Sequence, residues 1–150
     1  MSTMTGTDAT GPLVRPAVDA ISIICSDLER SVTFYRTIGC DLPDPDGTGH
    51  LACDLGGVRL MLDTKDVVAM SSAGEGVPSA PGRVSLAARC ATPEAVDEIH
   101  DLLVPLGQGS SLAPFDAFWG QRYATVLDPD GSSVDLYCDV PGATVGQSPP

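Results

Sequence analysis

Short apolar runs alternate with stretches of helical spacing along this chain, and the order recurs in its second half. Val18 to Cys25 (VDAISIIC) is apolar and β-branched, which predicts a strand. Ser26-Asp27-Leu28-Glu29 then supplies a capping box. Leu28, Val32 and Tyr35 fall at helical spacing, as do Ser31, Phe34 and Ile38, and Gly39 is suited to terminate the helix. Leu51 to Leu55 and Val58 to Leu62 read as two strands joined by Gly56-Gly57, a pair that tolerates the positive φ of a two-residue hairpin.

The second half repeats this grammar. Arg83 to Cys90 (RVSLAARC) predicts a strand, and Thr92-Pro93-Glu94 opens a helix with a cap residue and Pro at its first position. Val96, Ile99 and Leu103 carry that helix's apolar stripe, and Gly107 ends it. Gln121 to Leu127 and Ser133 to Cys138 are strands around Asp128-Pro129-Asp130-Gly131, where Pro presets φ and Gly takes the left-handed position. Weak strands near Cys40 to Leu42 and near Ser110 to Ala113 complete two βαβββ units, 18–63 and 83–138. The Ser-, Gly- and Pro-bearing segment 64–82 reads as a linker, and 1–17 and 141–150 as flexible tails on one domain, 18–140. Period two sorts the strand faces. The more apolar sets should pack on the helices, leaving Ala20, Ser22, Ile24, Ser85, Ala87 and Arg89 on the opposite face.

Composition narrows the functional classes. A net charge of −12, with eight Lys and Arg, argues against nucleic acid and favours a cationic over an anionic small molecule. The same acid also serves plain solubility. No apolar run approaches the roughly 20 residues of a membrane helix, and the first residues lack a signal-peptide core. Five cysteines, Cys25, Cys40, Cys53, Cys90 and Cys138, never form C-x-x-C, which suits free thiols in a reducing cytoplasm. Cys25 and Cys90 fall on the helix side as small buried hydrophobes. Serine-hydrolase, phosphate-loop and dinucleotide motifs are missing from the sequence.

The paired βαβββ pattern, the first helix SDLERSVTFYRTIG and the terminal WGQRYATVLDPDGSSVDLY resemble the vicinal-oxygen-chelate superfamily over residues 18 to 138. That resemblance implies an α+β fold: an eight-stranded, strongly curved mixed sheet with the helices outside and a ligand on the concave face. It also implies metal ligands at four repeat-related points, seven residues before each helix cap and four after each hairpin glycine. Those positions are Ala20, Met61, Ser85 and Asp135. Only Asp135 is a hard anionic donor, so no metal and no other cofactor is expected. His100, on the second helix, and His50, before a hairpin strand, sit away from those points and read as surface histidines. Asp135 then serves either a ligand or a partner such as Arg59, Arg89 or water. Five of the aromatics lie between Phe115 and Tyr137, and the resemblance to drug-binding relatives implies that Trp119 closes against a ligand. Core packing and dimer contact are the plainer reading of any single ring.

These readings converge on a metal-free small-molecule-binding protein of bleomycin-resistance type, probing a flat or cationic compound with Ser22, Met61, Ser85, Arg89, Trp119, Tyr123, Asp135 and Tyr137. A homodimer is expected, because this type of sheet edge is usually covered by a partner. The alternative is a metal-dependent glyoxalase-, epimerase- or dioxygenase-like enzyme, since one scaffold hosts many chemistries. A carrier of a biosynthetic intermediate is a third reading.

Overall fold

The computed structural model describes residues 18–71 and 84–143. The chain runs β1 (Ala20–Cys25), α1 (Leu28–Thr37), β2 (His50–Asp54), β3 (Arg59–Thr64), α2 (Lys65–Ser71), β4 (Ser85–Arg89), α3 (Pro93–Leu103), a short 3-10 turn (Val104–Leu106), β5 (Gly109–Asp116), β6 (Gln121–Leu127) and β7 (Ser133–Asp139). None of the described helices is long and apolar enough to cross a membrane. The expected tails lie outside the described residues, apart from 141–143, and so does most of the expected linker. Its first residues continue β3 and then form α2.

The helices α1 and α3 start as the sequence dictates. The Asp27 carboxylate accepts from the Arg30 amide at 3.1 Å, and the Thr92 hydroxyl from the Ala95 amide at 3.1 Å. Gly39, at φ 98°, closes α1 with paired bonds from Gly39 N–H to Arg36 and from Cys40 N–H to Tyr35. That positive φ is one a side chain would strain. Gly56 and Gly57 both adopt positive φ in the β2–β3 hairpin, where the Asp54 carboxylate takes their amides.

The strands form two hydrogen-bonded sheets, of order β1-β3-β2 and β4-β7-β6-β5. In each half the first strand runs parallel to the last and the last pairs antiparallel with its predecessor. The connectivity therefore repeats, but the first half is βαββ rather than βαβββ, and seven strands are described rather than eight. Pro43 and Pro45 explain the shortfall. Each lacks the amide a ladder needs, which disfavours a strand running on from Leu42. Leu42 is buried there nonetheless, and the Arg36 guanidinium takes its carbonyl at 2.7 and 3.0 Å.

Alternation supplies the core. Leu51, Cys53, Leu60, Leu62, Ala124, Val126, Val134, Leu136 and Cys138 point from the strands into one cluster with Val32, Phe34, Tyr35, Val96 and Leu103 from the helices. All five cysteines are buried free thiols. The halves meet through α1: the Tyr35 hydroxyl donates to Asp128 at 2.7 Å, and the Ser26 amide and hydroxyl donate to Asp130. His100 corrects the surface reading. It stands one turn beyond Val96, is 8% exposed, and its Nε2 lies 2.7 Å from the Ser110 hydroxyl. At the near edges of the sheets, β1 and β4 each pair on one side only among the described residues. A cavity of about 500 Å³ lies between them, lined by Ile21, Leu60, Leu86 and Ala88.

Candidate ligand-binding faces

With the apolar residues turned to the helices, each sheet presents an open face. In the second sheet this face is ordered in rows across the strands. One row runs Ala87, Asp135, Thr125 and Leu112, and the next Arg89, Tyr137, Tyr123 and Phe115. The Arg89 guanidinium lies over the Tyr137 ring, 5.0 Å from its centroid, a cation–π arrangement. Trp119, on the turn before β6, packs edge-on against Phe115, Phe118 and Tyr123, with centroids 6.1, 5.0 and 5.5 Å away. Phe118 and Trp119 are 53% and 36% exposed.

A polar chain holds the indole. Trp119 Nε1–H donates to Gln121 at 2.8 Å, Gln121 donates to Asp139 at 2.9 Å, and Arg89 donates to the other Asp139 oxygen at 3.3 Å. The Gln121 amide and the Arg89 guanidinium together hold Asp139 below the usual carboxylate range. Asp135 takes neither arginine the sequence suggested. Thr125 donates to it at 2.8 Å. Burial, and then the bond to Asp135, pushes the Tyr123 hydroxyl up to about 12, so it remains a donor at neutral pH. Sequence parity brings Arg89, Tyr123, Asp135 and Tyr137 to one face, and Gln121 and Asp139 share it, but parity alone does not show that they orient the tryptophan.

The first sheet's open face carries Ser22, Ile24, Ala52, Met61, Asp63 and His50. Met61 stands between Ser22 and Ala52, and Asp63 between Ile24 and His50. The Ser22 hydroxyl donates to Asp63 Oδ2 at 2.5 Å, and His50 Nδ1 lies 2.6 Å from Oδ1. His50 is exposed, as the sequence suggested, and is in addition tied to a carboxylate. The signal was present: Leu55 bonds to Val58 across the two-glycine loop, and counting back along the hairpin sets His50 opposite Asp63.

The four positions where relatives of this fold would hold a metal do not fit one. Ala20 has no donor, Met61 offers only a thioether, and the Ser85 hydroxyl is bonded to the Leu86 and Ser133 carbonyls. Asp135, which accepts from Thr125, is the single carboxylate. Among the described residues, no three His, Cys, Asp or Glu side chains group as metal ligands.

A capped βαβ half joined to a second of like connectivity, each with one open sheet face, defines a class of small α+β domains. The chain belongs to the Glyoxalase/Bleomycin resistance protein/Dioxygenase superfamily, whose family model matches residues 17–136. Solved structures agree on the fold. A glyoxalase-related enzyme from Fulvimarina pelagi is 23% identical with a TM-score of 0.71, over 82% of this chain and 88% of that one. A glyoxalase/bleomycin resistance protein/dioxygenase from Nocardioides is 24% identical with a TM-score of 0.64, over 92% and 93%. Lactoylglutathione lyase from Agrobacterium tumefaciens is 18% identical with a TM-score of 0.57, over 83% and 94%. No curated protein matches the chain.

Proposed function

We propose that this protein is a metal-free small-molecule-binding member of its superfamily, holding a flat or cationic compound against the aromatic wall of the second sheet. The observation that carries this reading is the open-face row of Arg89, Tyr137, Tyr123 and Phe115, with the half-exposed Trp119 held beside it and Asp135 one row away. Aromatic rings offer a flat ligand stacking area, and a carboxylate without a basic partner favours a positive charge. The chain's net charge of −12 acts in the same direction. The enzymatic alternative needs metal donors that Ala20, Met61 and Ser85 lack.

Trp119 is the one tryptophan, which makes it a reporter. Polycyclic cationic compounds should raise the melting temperature and quench Trp119 fluorescence, and Trp119→Ala should abolish the thermal shift. A shift of equal size in that variant would sink the reading. We propose also that the protein works as a homodimer, supported by the single-sided pairing of β1 and β4. Light scattering at micromolar concentration should give twice the mass of one 15.4 kDa chain.

A further inference from the structure

The first sheet carries chemistry that the aromatic wall does not use. Asp63 is only 13% exposed at its side chain, and no Lys or Arg among the described residues pairs with it. The arginine ion pairs fall elsewhere, on Asp44, Asp97, Asp116 and Asp139. A mostly buried carboxylate needs hydrogen bonds and a compensating charge. Ser22 and His50 supply the hydrogen bonds, one to each oxygen. Neither of them is a permanent cation.

The geometry also fixes the imidazole. A carboxylate only accepts, so the nitrogen 2.6 Å from Asp63 Oδ1 carries the hydrogen. In the neutral ring Nε2 then holds the lone pair. It has no partner among the described residues, and the His50 side chain is 47% exposed. An outward ring nitrogen thus stands in front of a carboxylate that no Lys or Arg among the described residues pairs with. Around it, Ile24, Ala52 and Met61 provide a floor without charge.

We propose that His50, Asp63 and Ser22 form a second binding site, specific for the ammonium group of a small amine whose hydrocarbon part rests on Ile24, Ala52 and Met61. The ammonium donates to His50 Nε2, and the Asp63 carboxylate behind the ring stabilises its charge. Ser22 acts as a positioning residue that holds the carboxylate in the plane His50 needs. The site rests on the cationic-ligand reading given above but lies on the other sheet, so the two can fail separately.

Phenethylamine, with 2-phenylethanol as its neutral counterpart and 3-phenylpropionate as its anionic one, provides the test. Nitrogen-15 NMR at pH 8 reads the His50 ring, and Trp119 fluorescence reads the second sheet. Free protein should show the Nδ1–H tautomer of His50, and phenethylamine should shift Nε2 in a saturable way. The alcohol should bind about tenfold more weakly, and the acid more weakly still. Asp63→Asn keeps the shape and an acceptor for Nδ1–H, and should also cost about tenfold in amine affinity. Ser22→Ala, the milder change, should weaken binding less and loosen the tautomer preference.

An unshifted Nε2, equal binding of amine and alcohol, or full affinity in Asp63→Asn would overturn the site. Trp119 quenching by polycyclic cations together with an indifferent His50 would overturn this site alone. A responsive His50 with an indifferent Trp119 would support it and overturn the aromatic-wall reading.

Discussion

Replacing Tyr35 with Phe removes a single oxygen from the middle of the molecule. Tyr35 and Asp128 are both fully buried, and the hydroxyl donates to Asp128 Oδ2 at 2.7 Å. The other carboxylate oxygen is satisfied inside its own turn by the Asp130 and Ser132 amides, at 2.9 and 2.8 Å. The substitution therefore leaves Oδ2 without its donor while the ring still fills its space. A hydrogen bond to a charged group contributes about 1.5–3 kcal/mol, and an orphaned buried acceptor falls at the upper end. We expect a loss of about 2 kcal/mol in urea unfolding and a melting temperature lower by about 4–8 °C. Asp128→Asn should cost less in the Tyr35→Phe background than in wild type, with a coupling of about 0.5–3 kcal/mol in the double-mutant cycle. A loss below about 0.5 kcal/mol for Tyr35→Phe would refute the reasoning.

Three further outcomes follow from other parts of the fold. In Gly107→Ala the new Cβ would fall 2.0 Å from the Leu127 carbonyl oxygen, so β6 must shift, and unfolding should become easier by about 1–3 kcal/mol or more; an unchanged urea midpoint would contradict this. Burial pushes the Cys25 and Cys40 thiols from 9.0 up to about 11, so the folded state keeps protons that the unfolded chain releases. That stability is complete below pH 9 and lost as pH rises through 11, so the urea midpoint under reductant should fall between pH 8 and 10.5, and less in Cys25→Ala. Crystals soaked with zinc, iron, manganese or nickel should show no full-occupancy anomalous peak beside Asp135; such a peak with two further protein ligands within about 2.5 Å would overturn the metal-free reading.

Much of the fold was legible because alternation and caps act locally. Leu60 and Leu62, or Val134, Leu136 and Cys138, declare a buried face without help from the rest of the chain. The failures came where one local signal outweighed another. No strand forms after Cys40, where the repeat called for one and Pro43 and Pro45 disfavour pairing. His100 lies four residues past the buried Val96, so helix geometry put it inside while its polarity suggested outside. Lys65–Ser71 forms a helix although 64–82 as a whole reads as linker. On the open faces, parity sufficed for Asp135 and Tyr137. Contacts such as Ser22 with Asp63 and Trp119 with Gln121 depend on side-chain reach across or along strands, which periodicity does not encode.

The clasp between α1 and the Asp128–Asp130 turn joins partners 93 and 104 residues apart in the chain. During synthesis the first helix therefore emerges long before the residues that satisfy it, and at about 5–20 residues per second the wait lasts several seconds. Through that interval the nascent first half holds an apolar helix face and a tyrosine hydroxyl whose partner does not yet exist. The completion of this molecule is a late, long-range event. Chaperone demand should accordingly depend on how quickly the ribosome reaches the second half, more than on the stability the finished protein attains.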